Sequence, residues 1–356
     1  MSTTLALALD APLSLAQRYH RANLRRAAVL LLLGAALCLS LLWDIGTGPS
    51  GLPLRDIVQG LLAPESLEIA DRVILFDVRL PYTCMALVVG AALGLAGAQM
   101  QTVLNNPLAS PFTLGLAAAA TLGAAMAIVF VPVLPWLPVE LLTPLCAFLM
   151  ALLSTGLILL LLRWHGGGSH SLVLFGIALM FALEALVSLM HFLADSNALE
   201  QIVFWSMGSL GRASWPNVLL VAVTLLLCFG LAMRRAWALT LLRSGEAQAE
   251  SLGVDVARVR RACLVEVSLL TAVALCFVGT IGFVGLVGPH IARLLVGEQH
   301  RYFLPASTLC GALMLSLASI ASKSLIPGLI VPIGIVTALV GVPAFMLLIL
   351  GRRAAA

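Results

Sequence analysis

Ten apolar windows, each bounded by glycine, proline or charge, run along the chain at roughly 27–45, 80–104, 111–131, 139–163, 171–194, 215–234, 258–281, 282–297, 303–323 and 333–350. A helix needs about 20 apolar residues to cross about 30 Å of hydrocarbon, and most of these windows approach that length. Lipid offers the backbone no hydrogen bonds, so such segments satisfy their own groups as helices. The pattern predicts an all-α polytopic membrane protein of about ten transmembrane helices over 27–353, preceded by an N-terminal segment, 1–26. The eighth window, "IGFVGLVGPHIARLLVG", is short and holds Gly288-Pro289, so a tilted or broken element is expected there.

One stretch departs from the pattern. "RSGEAQAESLGVDVARVRR", Arg243 to Arg261, carries seven charges in nineteen residues. Within it "SGEAQAESLG" reads as a short helix. Ser244 is placed to cap it, Glu246 sits in the positive first turn, and Gly253 is a good terminator. Ala249 and Leu252, with Leu241 and Leu242, supply apolar positions near helical spacing. A discrete capped helix on a polar loop is suited to touching another protein.

Composition agrees with a membrane protein. Mean hydropathy is +1.09 and only 10% of residues are charged, against about 25% in soluble domains. The net charge of +4 does not indicate nucleic acid, because it follows from how the basic residues distribute. With the N-terminus inside, Arg18, Arg21, Arg25, Arg26, Arg163, Arg234, Arg235, Arg243, Arg258, Arg260, Arg261, Arg293, Arg301, Arg352 and Arg353 fall on the cytoplasmic side. Arg55, Arg72, Arg79, Arg212 and Lys323 fall outside, a ratio of 15 to 5. The positive-inside rule then makes both termini and the polar stretch cytoplasmic. The first apolar run reaches Trp43 without a small-x-small cleavage site, so it reads as a retained helix.

Catalytic signatures are missing. The single lysine, Lys323, rules out a GxxxxGK[ST] nucleotide loop, and no HExxH or GxSxG occurs. The seven cysteines are scattered through apolar runs and read as core residues, and no ligand cluster suggests a metal. Glu184 and His191 lie seven residues apart in the fifth window, nearly on one helix face, and are candidates to line a pathway. Trp205 and Met207, in "FWSMGSLG", are candidates for an outer vestibule. His290 and Arg293 are expected near the inner mouth, and Glu266 is expected to pair with Arg260 or Arg261.

The motifs "RLPYTCMALVVGAALGLAGAQMQTVLNNPLASPFTLG" (79–115), "GSLGRASW" (208–215), "GEAQAESLGVDVARVRR" (245–261), "GFVGLVGPHIARLLVGEQHRYFLP" (282–305) and "PIGIVTALVGVPAF" (332–345) resemble the FecCD-type permeases. These are the membrane subunits of binding-protein-dependent ABC importers for ferric siderophores, haem and vitamin B12. The resemblance implies a ten-helix permease of the type II ABC importer architecture in the bacterial inner membrane. It also implies a second permease, identical or paralogous, two cytoplasmic ATPases that hold ATP and Mg, and an external substrate-binding protein. The chain itself would bind no cofactor. By the same resemblance the segment at about 239–257, with Ser244, Glu246, Ala249, Leu252 and Gly253, would be the coupling element against the ATPase. Arg79 and Lys323 would be outward charges that dock the binding protein. Tyr82 stands where the family often has an arginine, Ser319 where an aspartate is common, and Asn105 and Ser110 where an arginine and an acid are frequent. A ferric siderophore is the favoured cargo, with haem or vitamin B12 as alternatives. From the residues alone, an ion-coupled secondary transporter using Glu184 and His191 is the rival.

Overall fold

The computed structural model describes residues 14–48, 51, 53–130, 138–165 and 169–353. Residues 1–13 of the expected N-terminal segment lie outside that set. The described chain is helical, with no strand and one isolated bridge between Ile326 and Leu329. Among the described residues seven helices are long and apolar enough to cross a membrane; two more apolar helices, Leu116–Phe130 and Val284–Val296, are shorter, and the apolar run from Ile333 lies in a helix that reaches Arg353. Each of the ten windows thus contains a helix, but Leu116–Phe130 and Val284–Val296 fall below spanning length.

Helix α1, Leu15–Gly46, runs unbroken through the boundary expected at 26 and 27. Ser14 caps it in a reciprocal box with Gln17. Beyond it come α2, Leu54–Leu62, and α3, Ile69–Val73. A π-helical turn, Ile74–Arg79, joins α3 to α4, Leu80–Val103. The second apolar element therefore starts at Ile69, well before the window at 80, and runs to Val103. Next are α5 (Leu116–Phe130), α6 (Val139–His165), α7 (Ser169–Leu193) and α8 (Ser196–Ser206). Helix α9 covers Trp215–Arg234, α10 Ala236–Leu242, α11 Glu246–Ser251 and α12 Val256–Val278. The chain closes with α13 (Val284–Val296), α14 (His300–Ser324) and α15 (Ile333–Arg353). The eighth window is one continuous short helix with Pro289 inside it, not a broken element.

Three helices form the centre. The apolar windows of α4, α12 and α14 are 83%, 72% and 67% buried, against 17% for α1 and α7. Helix α14 packs on α4, α13 and α1, while α5, α6 and α7 form a second group. Apolar side chains gain little by leaving lipid for protein, so close packing has to hold such helices together, and small residues permit it. On α4, a Cβ at Gly90 would lie 2.5 Å from the Gly311 carbonyl oxygen, and one at Gly94 2.3 Å from that of Ser307. At Gly97 it would sit 1.8 Å from the carbonyl oxygen of Gly285. Backbone meets backbone along this seam, so nothing flexible can yield. Gly97→Ala is expected to force α4 and α13 apart and lower the melting temperature in detergent, overpacking costing about 1–3 kcal/mol or more. An unchanged melting curve would show that the seam tolerates separation.

Candidate functional site

The polar stretch folds as two short helices leading into a long one. Gly245, at φ +119°, begins α11, and no side chain caps that helix. The expected Ser244 cap is therefore not formed. The chain turns at Gly245 through a conformation that L-residues rarely adopt, which leaves Ser244 outside α11, its N–H donating to Leu241 at the end of α10. Gly253 does terminate the helix. At φ +85° its N–H reaches the Glu250 carbonyl at 2.9 Å, and Val254 N–H reaches that of Ala249 at 3.0 Å, the paired bonds of a Schellman end. Asp255 then caps α12 by accepting from Arg258 N–H at 2.9 Å.

Packing decides which face of α11 is available. Ala249 is fully buried and joins Leu239, Leu242 and Val254 in the main core. It faces the chain's own interior, so it is no contact point for another protein. Arg260, itself buried, binds Glu246 at 2.5 Å and ties α11 to α12. Ala247, Gln248 and Ser251 are exposed, and so is Leu252 at 52%. The outcome is a small rigid helix with one sealed face and one open face.

The segment is also fastened to the centre of the molecule. Arg243 donates to Asn105 Oδ1 at 2.5 Å, in the turn after α4, and to Glu298 at 2.8 Å, in the turn before α14. Arg293 on α13 reaches the same Glu298 at 3.1 Å and donates to Gln101 on α4 at 2.9 Å. Burial works to raise the Glu298 carboxyl, but Arg243 and then Arg293 outweigh it and hold the group below its ordinary value. His300 closes the network, with Nε2 2.7 Å from Thr102 Oγ1 and Nδ1 3.2 Å from Thr240 Oγ1. Arg26 of α1 donates to the Val296 carbonyl and to Gln299 at the same end. His290 and Arg293 are both buried here. Glu266 pairs with Arg235 of the α9–α10 junction, not with Arg260 or Arg261, because Arg260 is turned toward Glu246. Sequence reasoning missed Gln101, Glu298 and His300. Their only signal was polarity at helix ends.

At the opposite end the two expected docking cations are buried. Lys323, with 7% of its side chain exposed, pairs with Asp44 Oδ1 at 2.7 Å and donates to the Asp44 carbonyl. The same carboxylate accepts from Ser319 at 2.7 Å, and the ammonium lies 5.0 Å from the Tyr82 ring centre. Arg79 is 7% exposed and donates to the Ile45 carbonyl at 2.9 Å. Both cations stabilise the C-terminal end of α1, where helix carbonyls carry negative charge. Neither cation therefore stands free as a docking charge: Asp44, the one acid in the first window, receives Lys323, and the Ile45 carbonyl receives Arg79.

The pathway candidates separate. Trp205 is 3% exposed and packs in the core beneath Arg212, whose guanidinium lies 5.8 Å from the indole. Met207 is half-buried, and its carbonyl accepts from Gly334 N–H at the start of α15. Glu184 is exposed on α7, and His191, half-buried, follows on the same helix. Among the described residues no group of three His, Cys, Asp or Glu side chains could hold a metal ion.

Among the described residues, packed spans meet a rigid polar element at one end. The FecCD transport family matches residues 20–351. The Yersinia pestis hemin transport system permease protein HmuU is 36% identical over 277 residues, covering 78% of this chain and 83% of the relative. The Vibrio vulnificus vitamin B12 import system permease protein BtuC is 33% identical over 328 residues, covering 92% and 95%. A solved structure described as a metal-chelate type ABC transporter in an inward-facing conformation superposes with a TM-score of 0.80 at 31% identity, covering 91% of this chain and 99% of that one. These relatives are permeases, not enzymes. With a match across nearly its whole length and relatives above 30% identity, the chain belongs to the FecCD transport family.

Proposed function

We propose that the chain is the permease subunit of an ATP-binding cassette importer that carries an iron chelate, preferably a ferric siderophore, into the bacterial cytoplasm. The observation that carries this reading is the open face of α11, held rigid by Arg260, Arg243 and the buried Ala249. It gives a separate ATPase, loaded with ATP and Mg, a firm place to push. The end that holds Arg26, Arg243, Arg258 and Arg293 faces the cytoplasm, with both chain termini on that side. The external binding protein docks at the other end, where Arg55 and Arg72 are exposed.

Exposed Glu184 argues for a second permease against α7. An ionisable group within a span is costly against lipid and is ordinarily turned toward a partner or a water-filled cavity. Covered by a second copy or a paralogue, this face becomes one wall of the pathway between subunits. The relatives' names span hemin and vitamin B12, and the apolar spans are compatible with several bulky cargoes. Proteoliposomes holding the permease, its ATPase and its binding protein are expected to take up a ferric siderophore only with ATP. Uptake of haem or vitamin B12 in its place would change the cargo and leave the machinery.

The exposed Glu184 also keeps the second reading, an ion-coupled secondary transporter, open to a direct measurement. Glu184→Gln is expected to leave ATP-driven uptake close to that of the parent, since the driving force does not pass through that carboxyl. Uptake driven by an ion gradient alone, and abolished by the same substitution, would establish the rival.

A further inference from the structure

A groove of about 890 Å³ opens between α9 and α12. Leu227 and Leu231 of α9 face Val265 and Leu269 of α12 across it. Gly230 lines it as well, and a Cβ there would meet nothing within 4 Å, so the slot is vacant where a side chain would fit. Three arginines stand at one end of the groove: Arg234 in the last turn of α9, and Arg258 and Arg261 in the first turns of α12. All three are exposed, and none takes part in the five ion pairs found among the described residues. The acid that borders the groove, Glu266, is taken by Arg235. A smaller recess of about 450 Å³ continues past Arg258 and Ala262 and carries Trp237, an exposed aromatic suited to headgroup depth.

An apolar slot ending in three guanidiniums is complementary to a molecule with hydrocarbon chains and an anionic head. We propose that this groove binds one anionic phospholipid of the cytoplasmic leaflet, an acyl chain along Gly230 and the phosphate against Arg234, Arg258 and Arg261. The reading depends on the proposed function only for its sidedness. Lipid choice is then set by the headgroup, since phosphatidylcholine brings a cation to the same three charges. The site lies on the helices flanking the coupling segment, so its occupant would brace the junction of α11 and α12.

The test needs neither transport nor ATP. The full chain, purified in detergent with a mixture of phosphatidylglycerol and phosphatidylcholine, is examined by native mass spectrometry. It is expected to retain phosphatidylglycerol preferentially. Each basic residue near the membrane surface contributes about fivefold to such binding, so the triple variant Arg234→Ala, Arg258→Ala, Arg261→Ala should lower retention on the order of a hundredfold. Gly230→Phe, which fills the slot and keeps every charge, should lower it too, with an unchanged melting temperature. Retention unaffected by the triple variant would overturn the site, including the case in which that variant instead loses an acidic protein partner. Retention unaffected by Gly230→Phe would show that no chain lies in the groove. Displacement by excess inorganic phosphate would reduce the site to an anion patch and overturn the lipid assignment.

Discussion

Asp44→Ala is expected to cost about 3–5 kcal/mol, the loss typical of removing one member of a buried ion pair and stranding the other. Asp44 is fully buried, and its carboxylate receives Lys323 and Ser319, both on α14, at 2.7 Å each. The pair holds α1 to α14 near one end, and a buried contact between Ser40 and Ser316 at 2.7 Å continues the seam. With alanine at 44, the ammonium keeps the backbone carbonyl and the Tyr82 ring but loses its counter-charge. A thermal-shift measurement in detergent should show a large drop. The double variant Asp44→Leu, Lys323→Met should recover most of it, because an apolar pair avoids the desolvation that makes a lone charge costly. Equal stability of parent and Asp44→Ala would mean that this ion pair does not secure α1.

Leu252→Arg is expected to uncouple the permease from its ATPase while leaving the chain folded. Leu252 follows the last turn of α11, 52% exposed, beside exposed Ser251 and Gln248. Arginine at such a position is harmless in the isolated chain. In an interface it buries a charge without a partner, which costs several kcal/mol and lowers occupancy by about two to three orders of magnitude. ATPase retention on co-purification should fall accordingly, with the melting temperature of the permease unchanged. Ala249→Arg makes the contrast. Ala249 is fully buried in the main core, so that variant should unfold the segment, and its failure would report folding instead of contact. A Leu252→Arg variant that retains and stimulates the ATPase as the parent does would remove α11 from the interface.

Much of the architecture was legible in the residues. Gly253 was recognisable as a helix end, since a positive-φ position after a short amphipathic run favours glycine. The Ser244 cap was not, because the backbone turn at Gly245, φ +119°, leaves Ser244 outside the helix, and that turn is set by the fold. Trp205 looked interfacial from its polar neighbours, yet it is buried under Arg212. The eighth window was read as tilted or broken because it is short and holds Gly288-Pro289, but a neighbouring α14 seated against Gly288 supports it as one helix.

By itself the sequence determined the membrane-spanning character, the separation of basic from apolar stretches, and the existence of a polar helix between two spans. Each of these is local. Hydropathy summed over about 20 residues decides whether a segment enters lipid, whatever the rest of the chain does. Only the tertiary structure decided what the individual charges are for. Lys323 meets an aspartate 279 positions away, Arg293 a glutamine 192 away and Arg243 an asparagine 138 away. A charge in low dielectric takes whatever opposite charge or dipole the fold brings within reach, and that choice is invisible to neighbours in sequence. The same holds for α11, a short helix whose buried face was settled by which side of Ala249 found the core.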